Sequence, residues 1–243
     1  MRIVTGVFQR GPRQNFRWAF ALVELLVVIA IIAMVAAVLV PALRRAKESS
    51  RSIACFNNLR QLGLAASIYA EGHDTRFPSF RKWLYSRAGD LTTGQLYPYL
   101  NSRLVYLCPT DRVELATQSG PSQPRPRTGA FGSRSHFRDY SYAMNCGICH
   151  DPKISSFLEP SKTMLYMEGD LAPMDYSGQV GPSRAERSLA LRHNEQGHLL
   201  MADLHIEKLA AEEYDVVSMT KRFWLPSNRR FNRGWNGAFA GLR

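Results

Sequence analysis

Phe20–Val40 reads FALVELLVVIAIIAMVAAVLV, 21 residues with a single charge, Glu24. At about 1.5 Å per residue, a helix of that length spans the roughly 30 Å hydrocarbon core of a bilayer. The apolar region of a cleaved secretory signal runs to only about 7–15 residues. The block therefore fits a membrane-spanning helix better than a conventional signal. Glu24 is the exception within it. A carboxylate at depth costs on the order of 2.5–3.5 kcal/mol. It needs either a shallow position from which it reaches the headgroups or a cationic partner. Cleavage before Phe20 would supply one, an α-amine four residues from the acid, on the same chain or on a neighbour. Pairing between neighbours would turn a costly residue into a register for assembly.

On the N-terminal side, Met1–Ala19 carries Arg2, Arg10, Arg13 and Arg17 and no acid, the composition of a leader that stays cytoplasmic. On the other side, the stretch 41–60 holds Arg44, Arg45, Lys47, Arg51 and Arg60, so the balance of flanking charge does not set the orientation. The whole chain has 243 residues, with 31 Lys and Arg against 20 Asp and Glu, a net charge of +11. A hydrophobic content of 45% excludes wholesale disorder. A mean hydropathy of −0.23 excludes a multi-spanning transporter. The positive charge suits an anionic lipid, nucleic-acid or polymer partner.

Beyond Pro41, which removes a backbone donor and is expected to kink the helix, the pattern becomes amphipathic. Leu43, Ala46, Ser50, Ile53, Phe56 or Asn57, Leu59, Leu62, Ala66 and Tyr69 recur every three or four residues, with charges between them. Gly72 then stops the helix and Pro78 follows. From 73 to about 217 the chain reads as short strands and loops. Strands are expected at Leu104–Leu107, Tyr140–Met144, Thr163–Glu168, Gly197–Asp203 and Ile206–Ala210. Residues 118–135 are rich in Gly, Pro and Ser and read as an exposed loop. No internal repeat is present.

The run Ala19–Leu43 resembles the leader junction and first helix of type IV prepilins and of type II secretion pseudopilins. It has a small residue, an aromatic, an acid four residues on, an apolar span and a proline. The resemblance implies cleavage by prepilin peptidase between Ala19 and Phe20, N-methylation of Phe20, and a role for Glu24 in assembly register. Two positions depart from the pattern: Ala19 stands where Gly is usual, and Ala21 where Thr or Ser is usual. Other stretches resemble a pseudopilin-like group with an H-X9-DG motif. These are RRAKESSRSIACFNNLRQLGLAASIYAEGHDTRFP, GQLYPYLNSRLVYLCPTD, DYSYAMN and HNEQGHLLMADLH. The last places His193 and Asp203 at the motif spacing, with Leu204 where the Gly would be. Because Leu tolerates a positive φ poorly, a different turn is expected there. Four cysteines allow three full pairings. Cys55 with Cys108 is favoured, because both lie in matched blocks and the helix should rest on that region.

Chemistry-bearing patterns are few. Cys146-Gly-Ile-Cys149-His150 matches the C-x-x-C-H attachment pattern of c-type haem. Against haem, the match is short and its surroundings read as a sheet. A local disulfide, free thiols or a zinc site with no evident fourth ligand are the alternatives. His193, His198, Asp203 and His205 crowd one hairpin-like stretch; sheet packing outweighs metal binding for them, given their irregular spacing. There is no HExxH, G-x-S-x-G or P-loop and no case for catalysis. In the tail, Lys221, Arg222, Arg229, Arg230, Arg233 and Arg243 alternate with Phe223, Trp224, Phe231, Trp235 and Phe239. That composition suits nucleic acid, although aromatics capping the sheet account for it more simply.

The expectation is a pilin-like α+β protein, a long N-terminal helix packed on a small antiparallel sheet. Its parts are a cleaved leader (1–19), a transmembrane or filament-core helix (20–41), an amphipathic continuation (42–72), a soluble domain (73–217) and a basic aromatic tail (218–243). Its expected role is structural, a pseudopilin or minor pilin subunit and not an enzyme, with no cofactor, metal or small-molecule substrate. Partners would be prepilin peptidase, other subunits and membrane lipid, with nucleic acid disfavoured. Location would be the bacterial inner membrane, N-terminus cytoplasmic and C-terminal domain periplasmic. The alternatives are a membrane-anchored haem carrier through Cys146, Cys149 and His150, or a nucleic-acid-binding surface subunit through the tail.

Overall fold

Helix α1 (Phe16–Glu71) contains Pro41 and stops immediately before Gly72. A computed structural model describes residues 16–87, 89–118, 138–150, 153–182 and 189–227 of the chain. Two compact units divide it, Met1–Lys47 and Glu48–Arg243. In the first unit the apolar side chains from Leu22 to Val40 are all exposed, Met34 at 73% and Val38 at 74%. This is the one stretch among the described residues long and apolar enough to cross a membrane.

In the second unit the helix buries Ser52, Cys55, Leu59, Leu62, Ala66 and Tyr69, a stripe at spacings of three and four. The C-terminal half of this stripe was legible in the sequence. Its first half was not: Ile53 is 60% exposed and Phe56 lies at the edge, while Ser52 and Cys55 face inward. Ser52 and Cys55 are small beside Ile53 and Phe56, so hydrophobicity alone does not mark them as the inner positions. Gly63 lets the helix approach the sheet closely, since a Cβ there would meet Leu200 Cδ2 at 2.8 Å.

The sheet has five strands in the order β3-β1-β2-β4-β5. They are β1 (Tyr142–Asn145), β2 (Met164–Glu168), β3 (Gln179–Val180), β4 (Gln196–Met201) and β5 (Ile206–Ala210). The pairs β1–β2, β2–β4 and β4–β5 are antiparallel, but β1–β3 is parallel. The architecture is therefore α+β as expected, with a mixed rather than an antiparallel sheet. The two-residue β3 carries no periodicity to read, which is why the sequence did not reveal it. The strand expected at Leu104–Leu107 is instead a 3-10 turn, Arg103–Tyr106. The Leu107 amide donates to the Leu104 carbonyl at 3.3 Å, an i→i+3 bond that closes the turn within the segment.

Short α-helices follow the sheet and flank this turn. Helix α2 (Tyr97–Leu100) precedes it, and α3 (Pro109–Gln118) follows with Pro at its first position and Asp111 in its first turn. Helices α4 (Ala211–Ser218) and α5 (Lys221–Trp224) close the chain on the sheet. Tyr214 Oη donates to Met167 Sδ at 3.9 Å, and Asn145 Nδ2 donates to the Trp224 carbonyl at 2.9 Å. Phe223, Trp224 and Leu225 are core residues, so the folded domain extends past 217 into the expected tail. The rest of the tail and nearly all of the 118–135 loop lie outside the described residues.

At the β4–β5 turn, Leu204 has φ 72°. The loop bonds from the Met201 amide to the His205 carbonyl at 2.9 Å, the three-residue hairpin whose last residue is left-handed. Leu204 thus adopts the left-handed conformation that a Leu tolerates poorly, and it carries the strain. Its side chain packs on the core beside Gly63, and that contact offsets the strain. Filling the close approach is the sharper test of this packing. Gly63→Val is expected to lower stability by about 1–3 kcal/mol, read as a reduced chemical-denaturation midpoint of the purified protein.

Candidate functional site

A polar cluster lies between α1, α3 and the sheet of the second unit. Strand alternation sends Met167 toward α4, and so sends its neighbour Glu168 toward α1. Glu168 is fully buried. Across from it, Cys55 lies on the inner stripe of α1 and Cys108 immediately precedes α3. His193 is positioned by a tight turn in which the His193 amide donates to the Gln196 carbonyl at 3.0 Å. Asn194 and Glu195, both at positive φ, form its corner, the geometry of a type I′ turn.

These side chains converge. The Sγ atoms of Cys55 and Cys108, a ring nitrogen of His193 and a carboxylate oxygen of Glu168 all lie within 4.8 Å of one another. His193 Nε2 is 3.4 Å from Cys108 Sγ and 3.1 Å from Glu168 Oε1. Its Nδ1 donates to Glu48 Oε1 at 2.9 Å, and the same oxygen accepts from Thr110 Oγ1 at 2.9 Å. The second oxygen of Glu168 accepts from the His198 amide at 3.1 Å and lies 3.3 Å from His198 Nδ1. Ser52 Oγ reaches the far side of that ring at 3.4 Å.

The charge states follow from these contacts. Burial by itself pushes the Glu168 carboxyl up, but hydrogen bonds from His193 and His198 outweigh it and hold the group at about 2. Burial likewise disfavours a charged His193, yet its contacts with Cys108 and Glu168 raise the imidazole to about 10. A hydrogen bond from Cys55 lowers Cys108 to about 6 against the effect of burial, with His193 assisting. Cys55 is correspondingly pushed up, first by donating to Cys108 and then by burial. A thiolate beside an imidazolium is a reactive pairing. Here both Cys108 and His193 are wholly shielded from solvent, so the cluster can bind an ion or couple its two sulfurs but presents no thiolate to a substrate.

An ion-pair network backs the cluster. Arg138 forms a buried bidentate pair with Asp111, one arm at 2.9 Å through Nη2. It also donates to the carbonyls of Leu171 and Ala172 at 3.1 Å. Arg192 adds a second cation on Asp111 at 3.0 Å and reaches Glu114 at 2.8 Å. Ser141 Oγ donates to Asp111 at 2.6 Å and accepts from the Cys108 amide at 2.8 Å.

Of the residues picked out from sequence, the fold brings Cys55 and Cys108 together, and they are not joined in a disulfide here. His193 joins them, but Asp203 does not. It is on the β4–β5 turn, paired with His205 Nδ1 at 2.5 Å. His205 binds Glu207 as well and stays apart from His198, whose strand partner is Lys208. Cys146 is buried, and a Cβ on Gly181 would lie 2.4 Å from its sulfur. The side chains of Ala19, Phe20, Cys149 and His150 lie outside the described residues. Glu168 and Glu48 were missed. Glu48 read as one of the charges between the apolar positions of the helix, and the only signal for Glu168 was an acid closing an apolar strand. Compared with family models, curated proteins and solved structures, the chain matches none of them.

Removing the shared anion tests the network. Asp111→Ala leaves two nearly buried guanidinium groups without their common partner. A loss of about 3–5 kcal/mol is expected, measured by chemical denaturation; a loss under about 1 kcal/mol would contradict the burial of this pair.

Proposed function

We propose that the chain is a pilin-like structural subunit, a pseudopilin or minor pilin, held in the bacterial inner membrane by α1 until it is assembled. The observation that carries this reading is the apolar surface from Leu22 to Val40, which nothing in the chain covers among the described residues. Burial of such a surface stabilises by roughly 25 cal/mol per Å², so it calls for lipid or for the same segment of neighbouring subunits. The second unit adds to it. Ile53, Leu64 and Ile68 remain exposed on the outward side of α1, at 60%, 49% and 51%. A helix that buries one stripe on its own sheet and keeps a second apolar stripe free suits a subunit that packs helix against helix in an assembly.

In this reading prepilin peptidase removes Met1–Ala19 on the cytoplasmic side and Phe20 is N-methylated. The new terminal amine then meets Glu24 of an adjacent subunit, a charge pair that neutralises both groups within an apolar bundle. The α+β unit stands on the periplasmic side, and the chain performs no chemistry of its own. The haem and nucleic-acid alternatives gain no support: the Cys146 sulfur is packed against Gly181, and Phe223 and Trp224 belong to the core.

Mass spectrometry of the protein recovered from membranes tests processing directly. N-methyl-Phe20 is the expected terminus, and an intact Met1 would overturn the reading. Glu24→Ala subunits are expected to be cleaved normally but excluded from assemblies formed beside wild-type subunits. Incorporation at wild-type level would remove the electrostatic basis for assembly.

A further inference from the structure

We propose that Cys55, Cys108, His193 and Glu168 form a closed, structural binding site for a divalent transition metal of the zinc class. Two thiolates, an imidazole and a carboxylate are the donor types zinc takes in four-coordinate tetrahedral sites. Zinc bond lengths place neighbouring ligand atoms of such a tetrahedron about 3.3–3.8 Å apart. The His193 Nε2 to Cys108 Sγ distance of 3.4 Å and the Nε2 to Glu168 Oε1 distance of 3.1 Å are already close to those edges. The remaining spread, up to 4.8 Å, closes by side-chain shifts of about an ångström.

The surrounding groups are arranged as a metal site requires. Glu48 accepts the Nδ1 proton of His193, which leaves Nε2 as the atom aimed at the centre. A carboxylate behind a ligating histidine fixes both the tautomer and the ring orientation. His198 occupies Glu168 Oε2, which leaves Oε1 on the side of His193 Nε2. With two thiolates, one carboxylate and a divalent ion, the centre carries one net negative charge, and Arg192 lies within electrostatic range of Cys108. Binding is balanced by protons: two leave, because both sulfurs end as thiolates and His193 Nε2 gives its lone pair to the ion. All four positions are taken by protein, so no open coordination site remains and the role is structural. A Cys55–Cys108 disulfide would account for the two sulfurs but not for a histidine nitrogen and a carboxylate aimed at the same point. The site ties α1 to β2, to the residue before α3 and to the turn that leads into β4, and it does so whether or not the subunit assembles.

Cobalt alone provides the probe. The full chain is purified in detergent under reducing conditions, stripped with chelator and titrated with Co²⁺. One equivalent is expected to give thiolate-to-cobalt charge-transfer absorption and the visible bands of tetrahedral cobalt, both abolished by added Zn²⁺. A Cys146→Ser/Cys149→Ser double variant is expected to behave identically. Glu48→Gln is expected to weaken cobalt binding about 10–100-fold with the band shape retained. Cys108→Ser is expected to lose the charge-transfer band, but the wild-type and double-variant titrations decide the matter even if that protein does not fold. Absence of charge-transfer absorption in the reduced wild-type chain would overturn the site. So would its disappearance in the double variant, or a Cys55–Cys108 disulfide in peptide maps of the protein as isolated from its membrane.

Discussion

The carboxylate of Glu168 governs how the second unit is built. A charge taken into a protein interior costs several kcal/mol after relaxation, and this one sits on the inner face of a central strand with no route to solvent. Its neighbours are there to meet that cost: a backbone amide and two histidines contact its oxygens, and both histidines are tied in turn to residues of α1. Helix, sheet and the turn after residue 189 are thus cross-linked through one acid. Replacing such a cluster by apolar residues of equal volume is often neutral or stabilising. Packing alone therefore does not explain it, whereas convergence on a bound ion does.

Glu168 and Glu24 both occupy costly positions, and the contrast between them separates what the chain does alone from what it does with partners. Glu168 is answered within its own unit. Glu24 has no partner among the described residues of its own chain and stands exposed in a run of apolar side chains that are themselves uncovered. Its surroundings are completed only by lipid or by other chains. The same division applies along α1: one stripe is consumed by the sheet, another is left outward.

What could be read beforehand follows the range of the interactions involved. The apolar span, the end of α1 at Gly72, and the strands β2, β4 and β5 are each encoded by contiguous residues, and local periodicity exposed them. The parallel strand β3 and the turn at Arg103–Tyr106 depend on what packs over them, which no window of sequence contains. The site divides in the same way. Cys55, Cys108 and His193 were singled out separately, for motif membership or for pairing. Their meeting around Glu168 arises from the β2–β4 register and the close approach of α1, and the histidine spacing by itself argued for simple sheet packing.

A consequence for α1 follows from its being one continuous element with two different surroundings. If the first unit is held by lipid or by other subunits, the second half must keep its place on the sheet by its own contacts. Apolar burial there is modest, because the inner stripe includes Ser52, Ala65 and Ala66 beside larger residues. Directional contacts make up the difference. Asn58 donates to the Leu107 carbonyl at 3.3 Å, Gln95 donates to Tyr69 Oη at 2.8 Å, and the Cys55 carbonyl accepts from Tyr142 at 3.4 Å. Each such bond adds only about 0.5–1.5 kcal/mol, and together they fix the rotation of the helix more firmly than its energy of attachment. Rotation is the quantity that matters, since turning α1 by one residue would carry Cys55 away from Cys108 and bring Phe56 inward. The polar cluster is therefore best understood as a device for register, and a small, partly polar stripe is what leaves room for it.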